Sequence, residues 1–385
     1  MGQSPTLALA VADAGWFTTE NLFREVERDD VATLLLRCMD VRNALRRRPF
    51  RAWGRRLRPC GPGLWERELV LPSGWMKSYP RIGMRPIART VRRWRRRLAG
   101  DPRLALVMTY PYYLHLRDQV RPDRSVYYNL DDYSLFWPHR AAEVAELERR
   151  AVRESDVTVC VARARAEALR QAVPEAADRV HHLPHGAPTA SLAEHPWDRP
   201  APPPPDLAAL PRPLLGYVGS LEARVDWPLL DHLAGAFPGG SVVIVGRPAP
   251  RSDSPWQGEL DRCLARLNVH AIGWRKQETL ASYYRAFDVC LIPYRVDHPF
   301  NRVCCPTKIM DCMATTRPVV TTALPECLLH DDLFHVAADG EAFVAAVRRV
   351  IEAGSDDGLA ARRLAYAREH TCHAVAGRLL ELIEG

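Results

Sequence analysis

Between residues 214 and 337, short apolar, β-rich runs recur in regular alternation with segments of helical spacing. No other feature of this chain restricts its fold as strongly. The runs cover 214–219, 241–246 (SVVIVG), 269–273, 289–293, 318–322 and 333–337. Between them, 227–236, 255–267, 277–286 and 306–314 carry apolar residues at helical intervals. A strand apolar along its whole length must be covered on both faces, and a parallel sheet needs long crossovers that supply that cover. The pattern predicts a doubly wound α/β domain of nucleotide-binding type, with ligands at the carboxyl ends of the strands.

The N-terminal half is less regular but similar. Strands are expected over 6–11, 31–36, 104–109, 125–129, 157–161 and 179–183, with a charged helix over 140–154. Residues 42–100 read as helices joined by long loops. From His195 to Pro213 the chain has eight prolines, a composition that favours an extended, semi-rigid spacer. The expected organisation is therefore an α/β domain over 1–195 with a basic insertion at 42–97, a linker over 196–212 and a second α/β domain over 213–370. Residues 371–385 are expected as a helix packing back toward the first domain. A chain of 385 residues suits two such domains.

Charge divides the chain in the same place. Residues 1–200 hold 34 Lys/Arg against 24 Asp/Glu, whereas 201–385 hold 19 against 22. From Arg42 to Arg97 there are 18 basic residues and two acids, Glu66 and Glu68. Trp53, Trp65, Trp75 and Trp94 lie among the arginines. Such a field attracts polyanions, and tryptophan beside cations suits a membrane interface. An arginine-rich solvated face is the plainer reading. Nucleic acid is disfavoured, because no RNP motif or zinc finger accompanies the charge. No run of about 18 apolar residues indicates a membrane-spanning helix. The N-terminus lacks the basic region of a secretory signal, and none of the ten cysteines has Cys-x-x-Cys spacing. Reduced thiols in a cytoplasmic protein, peripheral on the inner membrane face, are the expectation.

The richest stretch is 301–314, NRVCCPTKIMDCMA. Pro306 suits the first position of a helix, where no donor is lost. Thr307 and Lys308 then fall in the first turn. A lysine there opposes the helix dipole unless an anion is bound, and free N–H groups, dipole and ammonium together make a phosphate site. Asp311 shares a face with Lys308 and is placed to accept two ribose hydroxyls; an exposed ion pair is the alternative. Glycines close three strand ends nearby: Gly219 with Ser220, Gly246 and Gly273. Tyr294 follows the fourth strand.

The pieces LGYVGSLEARVDWPLL, VVIVG, NVHAIGW, ETLASYYRAFDVCLIPY, PTKIMDCMATTRPVV and TALPE, in this order and spacing, resemble the donor domain of a GT-B glycosyltransferase, near family 4 of the retaining, nucleotide-sugar-dependent enzymes. VYYNLDDYSLFW, ELERRAVRESDVTVCVA and HHLPHGA resemble the end of its acceptor domain. Bacterial cell-surface polysaccharide and teichuronic-acid-type transferases are the most similar subgroup. The resemblance covers about 104–350 and barely reaches 1–100. It implies two Rossmann-like domains facing a cleft, with Gly219, Ser220 and Arg224 at the diphosphate, Lys308 beside it and Asp311 on the ribose. Gly246, Gly273 and Tyr294, by their places at strand ends, and Pro306 and Thr307, by theirs at the helix start, complete the expected donor site. Two departures stand out: Val303 occupies the place of the family's first glutamate, and Thr315-Thr316 replaces the usual glycine after the helix.

Asp131, Asp132 and His185 follow strands of the first half and are the catalytic candidates. For Asp132 the competing role is a helix N-cap. No Asp-x-Asp occurs, so no metal or other cofactor is expected, and cationic side chains would offset leaving-group charge. The expected activity is transfer of a sugar from a nucleoside-diphosphate sugar to a glycan, lipid-linked or small-molecule acceptor. A non-catalytic GT-B scaffold binding membrane or polyanion, and a sugar-nucleotide epimerase, remain as alternatives.

Overall fold

The computed structural model describes residues 4–15, 17–47, 55–196, 203–251 and 253–385. Two compact units emerge: Met1–Gly186 with Cys372–Gly385, and Ala187–Thr371.

The first unit is built on eight strands: β1 (Leu7–Ala12), β2 (Val31–Asp40), β3 (Arg55–Gly61), β4 (Leu64–Leu71), β5 (Arg103–Met108), β6 (Arg124–Asn129), β7 (Val157–Cys160) and β8 (Val180–His182). They are ordered β3-β4-β2-β1-β5-β6-β7-β8. All pair in parallel except the β3–β4 hairpin. Strand β1 is buried along its length, as a central parallel strand must be. Helix Cys372–Glu384 belongs to this unit. Its buried face of Val375, Ala376, Leu379, Leu380 and Ile383 accompanies ties to the neighbourhood of helix Phe17–Arg24. There Arg28 pairs with Glu384 at 2.9 Å, and the His373 N–H donates to Glu25 at 3.1 Å.

The hairpin corrects the expectation of helices and long loops over 42–100. Glu66 on β4 is buried rather than solvated. It pairs with Arg24, with Arg37 at 3.6 Å and with Arg58 at 3.3 Å. Charges that read as surface therefore stitch an edge strand to its neighbours, which hid the strand's alternation. Two tryptophans proposed as membrane anchors are also corrected. Trp94 is fully buried on the inner face of helix Arg85–Arg95 with Ile87, Ala88 and Val91, and Trp75 is buried too. Trp65 is half-buried; Trp53, Arg48 and Arg51 lie outside the described residues.

The second unit has six strands, all parallel: β9 (Leu214–Val218), β10 (Ser241–Val245), β11 (Val269–Gly273), β12 (Val289–Ile292), β13 (Val319–Thr322) and β14 (His335–Ala337). Their order is β11-β10-β9-β12-β13-β14. The order reverses between β9 and β12, where a doubly wound sheet opens its binding crevice. Gly216, in mid-strand, is required by packing: a Cβ there would lie 2.1 Å from the Phe287 ring.

The described part of the proline-rich stretch is not a spacer. Leu207 is buried in the second unit's core, and the Asp206 carboxylate accepts hydrogen bonds from Arg275 and from the Tyr283 hydroxyl at 2.9 Å. The segment runs through turns, with the Leu207 N–H donating to the Pro204 carbonyl at 2.9 Å and the Leu210 N–H to that of Leu207 at 3.2 Å. All ten cysteines are free thiols, with Cys304 and Cys305 buried. Among the described residues, no helix is long and apolar enough to cross a membrane.

Candidate functional site

At the β9/β12 reversal the chain brings its glycines and cations together. The Gly219 N–H donates to the Val245 carbonyl at 2.9 Å, which draws the end of β9 against β10. A Cβ on Gly246 would lie 1.7 Å from the Gly219 oxygen. Only glycine permits this approach. The Gly246 N–H in turn donates to Gly273 at 3.0 Å, and Gly273 has φ +81°. Three strand ends thus form one continuous backbone rim. Ser220 is exposed on it, its carbonyl accepting from the Tyr217 hydroxyl at 2.9 Å.

Lys308 opens helix Lys308–Thr315, one residue after its N-cap, Thr307. Pro306 precedes the helix instead of beginning it. The lysine is only 8% exposed. A Cβ on Gly219 would lie 2.8 Å from its Nζ, so the ammonium rests on the glycine turn. The Nζ donates to the Tyr294 hydroxyl and lies 5.3 Å and 4.7 Å from the ring centres of Tyr217 and Tyr294. The alternative, an exposed Lys308–Asp311 pair, does not form: Lys308 is buried and answers tyrosines, while Asp311 lies 3.5 Å from the Tyr284 hydroxyl. Burial pushes the Asp311 carboxyl up to about 6, against the opposing pull of Lys308.

Arg224 also meets the Tyr294 ring. Its guanidinium lies 5.2 Å from the centre of the same Tyr294 ring and 4.8 Å from that of Phe300, and it pairs with Glu222 at 2.6 Å. Asn301 pins this loop, donating to the carbonyls of Arg224 at 3.0 Å and Arg295 at 2.8 Å. Two cations therefore share one aromatic ring beside a bare backbone rim and a helix N-terminus. Such an arrangement is suited to hold an anion. Val303 is a half-buried loop residue, which leaves this site without the carboxylate expected there.

Tyr217, Tyr284, Phe300 and Asn301 were not anticipated. Tyr217 reads as one more apolar strand residue, and only its fold neighbours reveal that its hydroxyl and ring serve the rim.

Residues 212–353 match the family model described as glycosyl transferases group 1. They are a glycosyl transferases group 1 domain. Every donor-site residue just described lies within this glycosyltransferase domain. TuaH of Bacillus subtilis (strain 168), named as a teichuronic acid biosynthesis glycosyltransferase, is 26% identical over 160 residues. The match takes in 40% of this chain and 39% of TuaH, so the chain spans about two fifths of that relative. Sucrose-phosphate synthase from Thermosynechococcus elongatus superposes with TM-score 0.72 at 15% identity, covering 98% of each chain. HepE of Anabaena, solved with UDP and glucose, gives 0.65 at 14% identity over 98% of this chain and 99% of its own. A UDP-forming α,α-trehalose-phosphate synthase from Burkholderia vietnamiensis gives 0.66 at 12% identity, with coverage of 98% and 99%. The fold outside and around the glycosyl transferases group 1 domain is thus GT-B.

The first unit's candidates have different surroundings. Asp132 caps helix Tyr133–Phe136, accepting from the Ser134 N–H at 3.0 Å, and pairs with Arg165 at 3.0 Å. Arg165 also holds buried Glu148 at 2.6 Å, which accepts from Tyr127 at 2.7 Å and Asn129 at 2.8 Å. This network gives Asp132 a structural task. Asp131 is half-buried at the end of β6, its carbonyl accepting from Asn129 at 2.9 Å. His185 is buried, and desolvation lowers its imidazole to about 4, which keeps it neutral at pH 7.

Proposed function

We propose that the protein is a retaining, metal-independent glycosyltransferase that takes a nucleoside-diphosphate sugar as donor. The observation that carries this reading is the pair of cations, Lys308 and Arg224, both against the Tyr294 ring, with Lys308 on the Gly219 rim. A bound diphosphate would satisfy both charges at the positive end of helix Lys308–Thr315. As the glycosidic bond to the donor breaks, charge grows on the departing diphosphate, and preorganised cations stabilise it there. Asp311 would take the ribose hydroxyls, strongest as a carboxylate. HepE, which shares this fold, was solved with UDP, which supports a nucleotide-sugar donor.

The acceptor, a glycan or a lipid-linked saccharide in polysaccharide biosynthesis, would bind the basic first unit. Asp131 and neutral His185 are its candidate contacts. A cytoplasmic enzyme working at the inner membrane face fits this acceptor.

Calorimetric titration of the full chain with UDP, GDP, TDP and ADP, without metal, tests the reading. One nucleotide is expected to bind at micromolar affinity. Lys308→Ala should weaken it by about 1.5–3 kcal/mol, the worth of a charged hydrogen bond. Binding of none of the four would sink the proposal. The anomeric configuration of the transferred sugar, read by NMR, tests retention.

A further inference from the structure

From Pro80 to Arg97 the chain carries eight arginines and no acid. Helices Pro80–Gly83 and Arg85–Arg95 follow one another directly, with Met84 in helical conformation between them. Arg85, Arg89, Arg92 and Arg96 recur at helical spacing and are exposed, as are Arg81 and Arg93. The inner face of the same helix buries Ile87, Ala88, Val91 and Trp94. None of these six arginines has a carboxylate partner among the described residues. Arg95, by contrast, meets Asp101 and Asp123, and Arg92 donates to a backbone carbonyl at 2.7 Å. The cations crowd one another: Arg93 and Arg97 both act on Arg67.

Two apolar side chains break this surface at its N-terminal end. Ile82 is 60% exposed and Tyr79 38%. Ile82 is held outward by its neighbour: Gly83 packs so closely that a Cβ would lie 2.2 Å from the Trp75 oxygen. That contact locks the short helix with its glycine inward and its isoleucine outward. An exposed aliphatic tip continuous with an unpaired arginine stripe matches a bilayer surface, where headgroup phosphates meet the cations and the acyl boundary receives the tip. Duplex DNA would also meet the charge, but takes an aliphatic side chain only as a wedge between base steps, and no nucleic-acid-binding motif accompanies this surface.

We propose that the surface formed by Ile82, Tyr79 and the Arg81–Arg96 stripe docks the first unit onto an anionic lipid bilayer. Arginines supply the attraction and Ile82 supplies shallow insertion. The surface lies outside the donor site, so its success or failure is separable from nucleotide binding.

Sedimentation with phosphatidylcholine vesicles, with and without about 40% phosphatidylglycerol, tests this at about 100 mM salt. Wild type should bind the anionic vesicles at least tenfold better. Each arginine is worth roughly fivefold in partitioning, so replacing Arg85, Arg89, Arg92 and Arg96 together by Gln should cost more than a hundredfold. Ile82→Ser should cost severalfold, and that loss should persist at higher salt, because apolar burial is not screened. Melting temperature and nucleoside-diphosphate binding serve as folding controls for both variants. Equal affinity of wild type for both vesicle types overturns the proposal. So does anionic binding unaffected by the fourfold variant. Tight binding to duplex DNA with vesicle binding indifferent to Ile82→Ser overturns it in favour of a nucleic-acid surface.

Discussion

Asp311 carries a pH dependence whose sign follows from its burial. Its carboxyl holds a proton up to about 6 in the folded chain, against 3.8 for the free group. The folded state therefore binds that proton more tightly than the unfolded state. Stability on this account falls as pH rises from about 4 to about 6, and the cost persists above. Asp311→Asn should raise stability at pH 8 by about 2–3 kcal/mol, with little gain at pH 4, as denaturant titrations at the two values would reveal. The same variant should bind nucleotide less well at pH 8, since an amide accepts the ribose hydroxyls less strongly than a carboxylate. Gly246 is the second residue whose substitution is decisive. Gly246→Ala forces a methyl into the Gly219 oxygen. We expect a loss of about 1–3 kcal/mol in stability and at least a tenfold loss in nucleotide affinity, measured by melting and calorimetry.

Helix Lys308–Thr315 shows how an element is held for a task. It ends at Thr316, a β-branched residue at φ +64°, in the left-handed region that glycine tolerates better. Thr316 has its own support. Its carbonyl accepts from Arg363 at 3.0 and 3.2 Å, and its hydroxyl donates to the Pro196 carbonyl at 2.5 Å. Arg363 is fully buried and pairs with Asp357 at 2.6 Å, which holds that carboxyl well below the usual carboxylate range. Removing Arg363 leaves the buried Asp357 carboxylate with His335 and the Leu359 N–H but no guanidinium, and takes both donors from the carbonyl of the strained cap. Arg363→Ala should cost about 3–5 kcal/mol in urea unfolding at pH 7, far more than an exposed arginine such as Arg349.

The whole chain passes through the first unit twice, because Cys372–Gly385 returns to it. The last helix covers apolar surface with Val375, Leu379 and Ile383. Ending the chain at Thr371 should therefore lower the first unit's melting temperature by several degrees or cause aggregation, a burial loss of several kcal/mol. Nucleotide binding by the glycosyl transferases group 1 domain should survive where the truncated chain stays soluble; calorimetry of the soluble fraction checks both outcomes.

The strands and helices of the second unit were legible because continuous apolar runs leave few alternatives to a doubly wound parallel sheet. Segments 227–236, 269–273 and 277–286 lie where their spacing puts them. Lys308 and Gly219 were legible as separate signals of anion binding. Their meeting was not: strand order sets β9 beside β12, and only that adjacency lays a lysine from one crossover on the glycine turn of another. The β3–β4 hairpin escaped because Glu66 and its arginines read as solvent-facing charge until three elements close around the carboxylate. Trp94 was misplaced for the matching reason, since a helix with arginines on one face hides how apolar its other face is. Local pattern decides which segments are strands or helices, because backbone hydrogen bonds and periodic burial act over a few residues. Which charge is buried, which ring two cations share and which face meets solvent depend on contacts between residues far apart in the chain, and those exist only once the sheets have assembled.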